Sequence, residues 1–200
     1  NFPADYLKEK YSCSDCEYTG YVATQMCHCF SELLRQQAFL ELSSVSGGEE
    51  CTFDNFDLRF YSDKAIPGSN IVPRERMEDV FRFCREYARD FSMDADSLLM
   101  LGRTGLGKTH LSLAIAWEVT DRGFGVVYTP VQQLIDKLEV NKFSYEAEQK
   151  ERYTQDIQAV TTCDLLVLDD LGTEMTTSFT LSALYNIVNT RLVEQRPTII

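Results

Sequence analysis

Two hundred residues, 44% of them hydrophobic, suit one domain with a small appendage and supply enough apolar side chain for a real core. The net charge of −12 argues against broad, unspecific DNA binding, which rests on Lys and Arg neutralising phosphates, but leaves room for a local basic face. No run of about 18 apolar residues and no basic-then-apolar leader occurs, so the reading is a cytoplasmic chain with no membrane partner.

The reducing cytoplasm turns seven cysteines into candidate metal ligands or core thiols. Cys13-Ser-Asp-Cys16 is a C-x-x-C knuckle, and Cys27-His-Cys29 follows after a hairpin-like excursion around Gly20. Each close pair offers two thiolates from one turn, as a tetrahedral zinc site requires. The candidate zinc ligands are Cys13, Cys16, Cys27 and Cys29, with His28 an alternate for one of the last pair. A redox C-x-x-C would need a βαβ context that is missing, and plain reduced cysteines are the remaining alternative. Cys51, Cys84 and Cys163 stand apart and read as small core residues. Residues 30–42 carry a helix pattern with Ser31 at its N-cap, and the Ser/Gly stretch 43–48 reads as a linker. The division is a zinc module with linker over 1–48 and a nucleotide domain over 49–200.

The second domain opens on an extended aromatic segment, Thr52–Leu58. Pro73 starts a helix whose apolar residues Met77, Val80, Phe81, Cys84, Tyr87 and Phe91 recur at helical spacing. Arg82, Arg85 and Arg89 form a basic stripe opposite. A solvated face paired with nearby acids is the default reading, with a nucleic-acid contact as its rival.

An apolar run, Leu98–Leu101, then ends in Gly102–Thr109, the pattern G-x-x-x-x-G-K-T of a phosphate-binding loop. Gly102, Gly105 and Gly107 permit backbone conformations that aim successive N–H groups, those of Thr104 and Leu106 among them, at one anion. Lys108 reaches the β- and γ-phosphates, Thr109 binds Mg²⁺, and His110 opens a helix whose positive end faces the phosphates. The expected cofactors are ATP or ADP with Mg²⁺.

Gly125–Thr129 reads as a strand, and Thr129-Pro130 caps a helix carrying Val131, Leu134, Ile135 and Leu138. Residues 141–159 are polar and helix-prone, with Phe143, Tyr145 and Tyr153. Asp164–Gly172 is a buried-strand signature closed by two acids. Lying beside the P-loop strand, it would bring Asp169 to Mg²⁺ and Asp170 to the attacking water. The bland alternative is that both acids cap the next segment. Thr176–Gln195 reads as an amphipathic helix with Leu181, Leu184, Tyr185, Val188 and Leu192 on one side, and Arg196–Ile200 opens a fourth strand. Alternating strands and helices predict an α/β fold, a P-loop NTPase parallel sheet covered by helices on both faces. Lys108 and Asp170 are the candidate catalytic pair.

Gly102–Thr109, Asp164–Gly172 with Thr173-Glu174, Arg196–Ile200 and the Tyr11–Phe30 cysteine cluster together resemble the helicase-loader branch of the AAA+ ATPases. This is the DnaC/DnaI family, with the IstB transposition helpers as close relatives. The resemblance implies an ATPase that forms ATP-dependent homo-oligomers, binds single-stranded DNA and places a hexameric replicative helicase on it, the N-terminal module gripping the helicase. It also implies that Phe53–Leu58 lies near the adenine through Phe56, and that 141–159 lies where relatives contact DNA, its aromatics stacking on bases or, as the favoured alternative, packing against the sheet. Asp170 stands where some members carry glutamate. The sensor residue, arginine finger and lid of the family fall beyond Ile200. Asn1, which is not a Met, and the apolar close Thr198–Ile200 read as cut ends, so weak or no turnover is expected. The alternatives are a transposase helper, a small-molecule P-loop kinase, and a nucleotide-bound adaptor without catalysis. The Asp169-Asp170 pair and the lack of an Arg-rich lid oppose the kinase.

Overall fold

The computed structural model describes residues 13–34, 37, 51–172 and 175–200. The strands are β1 (Tyr21–Val22), β2 (Gln25–Met26), β3 (Val126–Pro130), β4 (Leu165–Asp169) and β5 (Thr198–Ile199). The longer helices are α1 (Pro73–Asp90), α2 (Lys108–Asp121), α3 (Val131–Phe143), α4 (Ala147–Thr162) and α5 (Ser178–Val193).

Alternation along β4 builds the layers. Leu165 and Val167 enter one apolar cluster with Cys84 and Ala88 of α1 and Leu111, Leu113 and Ile115 of α2. Leu166 and Leu168 enter a second with Leu134 and Leu138 of α3, Val160 of α4 and Ile187 of α5. Because successive strand side chains point to opposite faces, helices cover both sides of the sheet, and an apolar β4 is the result. The predicted α/β layout is therefore present.

The order of strands differs from the expectation in one respect. β3, β4 and β5 pair in parallel in that order. Residues 98–100 join the other side of β5: the Leu98 and Met100 N–H groups donate to the carbonyls of Thr198 and Ile200 at 2.9 and 2.7 Å. β5 thus stands between the P-loop strand and the acidic strand, which are not neighbours. Thr198 and Ile199 are both buried, so this two-residue strand has an interior place, hydrogen-bonded on both sides.

α1 begins at Pro73, whose missing N–H costs nothing in the first turn. On its outer face Arg82 pairs with Asp79 and Arg89 with Asp90, so those two members of the basic stripe belong to a solvated surface. Leu111–Ala116 of α2 are buried without a break, because this helix is wedged between the sheet and α1. The predicted polar stretch 141–159 is divided: α3 ends at Phe143 and α4 starts at Ala147.

α5 corrects the reading of its apolar stripe. Its buried residues are Thr180, Ala183, Ile187 and Arg191, whereas Leu181, Tyr185 and Leu192 are exposed and Leu184 and Val188 only partly covered. The cause is Arg191, fully buried. Its guanidinium donates to the carbonyls of Val160 (3.1 Å), Cys163 (2.9 Å) and Pro197 (2.6 Å) and to Thr198 Oγ1 (2.9 Å). A cation at the C-terminal end of α4 satisfies orphan carbonyls and faces the negative end of the helix dipole. This network ties α4 and α5 to β5 and sets the rotation of α5.

Two local readings change as well. Thr52–Leu58 is not extended: the Thr52 N–H donates to Asn55 Oδ1 at 2.9 Å, turning the chain before a 3-10 turn at Leu58–Phe60. Ser31 is not an N-cap, since helical residues already begin at 28 and the Phe30 and Ser31 N–H groups both bond the Cys27 carbonyl. Most of the remainder of the 30–42 helix, the 43–48 linker and the boundary at 48/49 lie outside the described residues. Among the described residues no helix is long and apolar enough to cross a membrane.

Candidate functional site: a phosphate-binding cleft and a four-cysteine cluster

The loop at 102–107 joins the 98–100 strand to α2. Gly105 and Gly107 both hold φ near +80°, a left-handed conformation that side chains resist. Gly107 is constrained twice over, because a Cβ there would lie 2.8 Å from Tyr61 Oη and 2.9 Å from Phe56 Cε2. Left-handed residues in so short a loop are what an anion nest of main-chain amides requires. Lys108 opens α2 and bends back over the loop, its Nζ donating to the carbonyls of Gly102 (3.0 Å) and Arg103 (3.1 Å).

Asp169 ends β4, and Asp170 follows in a left-handed conformation at φ +57° before Leu171 and Gly172. Lys108, Gly102 and Thr104 share one cleft of about 330 Å³ with Asp169 and Asp170, so residues far apart in the chain converge on one space. Thr109 is exposed in the first turn of α2. Thr109 is not among the residues that line this cleft, whereas Lys108, Asp169 and Asp170 all do.

His110 is directed elsewhere. Its Nε2 lies 2.8 Å from the Thr52 carbonyl and its ring is edge-on to Phe56, so only its main chain is left for the loop. Phe56 stacks between Tyr61 and Phe81, with centroid separations of 6.0 and 5.5 Å. The Tyr61 hydroxyl donates to the Leu106 carbonyl at 3.3 Å. The 52–61 segment therefore braces the phosphate loop from outside.

Two residues of this site escaped the sequence reading. Tyr61 lies outside the aromatic segment recognised there. Tyr128 on β3 donates its hydroxyl to Asp169 Oδ2 at 2.5 Å. Burial, and then that carboxylate, push the Tyr128 phenol well above the ordinary tyrosine range. A tyrosine between valine and threonine in a strand looks like an ordinary β-former; only the pairing of β3 with β4 makes it a partner of Asp169.

At the N-terminal end the hairpin β1–β2 pairs Tyr21 with Met26 and returns the chain so that the two cysteine pairs meet. The Sγ atoms of Cys13, Cys16, Cys27 and Cys29 all lie within 4.8 Å of one another. The Cys13–Cys27 and Cys16–Cys29 separations are 3.6 and 3.4 Å. A tetrahedron of metal–sulfur bonds near 2.3 Å has edges of about 3.8 Å, so the cluster fits zinc. His28 is exposed, with Nδ1 3.7 Å from Asp15, and forms with Cys13 and Asp15 a second, more exposed grouping. Amide hydrogen bonds from Asp15 and Cys16 bring the Cys13 thiol down to about 7, while the contact with Cys16 pushes Cys29 up to about 12. Four sulfurs this close resist shedding all their protons unless a cation stands among them. Cys84 is buried in the first apolar cluster, while the half-buried Cys51 and Cys163 pack against the first and second.

A helix-flanked parallel sheet, a glycine loop closed by lysine at the head of α2, and acids ending an interior strand define a P-loop ATPase of the AAA+ class. Residues 83–200 match the family model of the IstB-like ATP binding proteins, and the chain belongs to that family. It is similar to the replicative helicase loader DnaC of Escherichia coli (strain K12), 29% identical over 150 residues, covering 75% of this chain and 54% of that protein. The chain therefore spans about half the length of that relative. It is also similar to the phage-like element PBSX protein XkdC of Bacillus subtilis (strain 168), 25% identical over 218 residues, with 99% of this chain and 74% of that one covered. Among solved structures, a DnaC helicase loader superposes with a TM-score of 0.56 at 23% identity over 74% of this chain and 76% of that one, a likeness of fold.

Proposed function

We propose that this protein is an ATP-switched loader that delivers a replicative helicase to single-stranded DNA. The observation that carries the nucleotide reading is the convergence of Lys108 and the Asp169-Asp170 pair on one cleft that Gly102 and Thr104 of the phosphate loop also line. Amides of Gly102–Thr109 take the phosphates, Lys108 exchanges its carbonyl contacts at Gly102 and Arg103 for β- and γ-phosphate oxygens, and Thr109 with Asp169 would hold magnesium, which would supply charge neutralisation on the phosphate oxygens. Asp170 orients or deprotonates the attacking water.

The four cysteines hold zinc and with it the shape of the N-terminal module, which docks on the helicase. Single-stranded DNA meets the α3–α4 corner, where Phe143 and Tyr145 are exposed and Lys142 sits over the rings of Phe143, Tyr153 and Phe179. Exposed aromatics beside a cation are a stacking platform for bases. A second reading, a helper ATPase for a transposase, draws on the family match alone.

The test is ATP-dependent association of the intact protein with a hexameric replicative helicase, compared with Lys108→Ala. Retention of the helicase by the wild type with ATP, and loss in the variant, is the expected result. Retention of a recombinase in its place would favour the helper reading, and unchanged ATP affinity in Lys108→Ala would contradict the site assignment.

A further inference from the structure

Tyr128 stands opposite Val167 in the β3–β4 pairing, and alternation aims Tyr128, Val167 and Asp169 at the same face of the sheet, the one covered by α2. Its ring packs against the core shared by α1 and α2, so the hydroxyl has a fixed origin. From there it donates to Asp169 Oδ2 at 2.5 Å, a length typical of a charge-assisted O–H···O⁻ bond. In that bond the tyrosine hydroxyl donates and Asp169 accepts.

We propose that Tyr128 is the positioning residue of the acid pair, occupying Oδ2 so that Asp169 is locked in one rotamer and presents Oδ1 to the magnesium–nucleotide complex. An aspartate at the end of a strand, beside a residue in a left-handed turn, has freedom in χ1 and χ2 that would blunt its aim. A donor anchored in the next strand removes that freedom before the ion arrives. Outer-sphere partners of this kind change metal affinity by about 10–100-fold when lost. Tyr128 touches neither nucleotide nor water in this scheme and acts only through Asp169.

The inference rests on the ATP-site reading, and the experiment separates the two. Binding of a fluorescent ATP analogue by the full chain is measured against magnesium concentration for wild type, Tyr128→Phe, Asp169→Asn and the double variant, with melting temperatures recorded alongside. The expected result is that Tyr128→Phe keeps magnesium-free nucleotide affinity and its melting temperature within a few degrees. The magnesium needed for half-maximal enhancement rises about tenfold. Asp169→Asn abolishes the enhancement, and the double variant is no worse than Asp169→Asn, as expected for residues acting in series. Wild-type magnesium dependence in Tyr128→Phe, with Asp169→Asn impaired, overturns the positioning role. A wild type that binds no nucleotide, or an Asp169→Asn variant with unchanged magnesium dependence, overturns the ATP-site reading beneath it.

Discussion

The cysteine module and the nucleotide domain reach order by different physical routes. Around Cys13, Cys16 and Cys27 the buried apolar cluster contains, among the described residues, only cysteines, and Tyr18, Tyr21, Val22 and Met26 are exposed. In the nucleotide domain two clusters sandwich the sheet, and Leu165, Leu166, Val167 and Leu168 are almost wholly removed from water. A hairpin of two-residue strands is marginal in water by itself, and the four clustered sulfurs fit a zinc ion that would hold it. The sheet holds itself by burial, and the loop at 102–107 takes its left-handed turns at Gly105 and Gly107, where no side chain opposes them.

The largest expected effect follows from that contrast. Chelation of metal, or Cys16→Ser, unfolds residues 13–34 while the nucleotide domain keeps its melting transition, because a structural zinc supplies about 10 kcal/mol or more in small modules. Hydrogen exchange resolved along the chain, with zinc content measured in parallel, reports it. Protection at 13–34 that survives complete metal removal would erase the distinction between the two regions.

Lys108→Ala weakens ATP binding by on the order of a hundredfold through loss of a charge-assisted contact, leaving melting and zinc content unchanged. Calorimetric titration checks it. Arg191→Met lowers the stability of the nucleotide domain by about 3 kcal/mol, since the carbonyls of Val160, Cys163 and Pro197 lose their buried donor. Urea unfolding of this variant should leave zinc content at the wild-type value; a matched loss of metal would mean that the two regions are coupled. Gly107→Ala costs about 2 kcal/mol, because φ near +80° and the crowding by Tyr61 and Phe56 both oppose a Cβ. At the small end, Arg82→Ala changes stability by less than about 0.5 kcal/mol, as its ion pair with Asp79 is solvated.

Pattern at short range made much of the site legible. The glycine spacing of 102–107, the lysine after it, the acids closing a Leu/Val strand and the paired cysteines are all local, and each appears where the residue types require it. What escaped the reading depends on contacts between distant segments. The position of β5 between the P-loop strand and β4 has no local mark in Thr198–Ile200. The exposed Leu181, Tyr185 and Leu192 follow a helical repeat as well as any buried stripe would. The polar Arg191 nonetheless displaced them, because the α4 terminus and β5 both present carbonyls to it.

From the chain alone came the alternation of strands with helices, the identity of the phosphate loop and the candidate ligands, because periodicity and turn chemistry act over a few residues. Tertiary structure alone decided the order of the strands, the rotation of α5 and the pairing of Tyr128 with Asp169. Those depend on which buried polar groups find partners once the layers close, and a donor with its acceptor on another strand leaves no trace in its own neighbourhood.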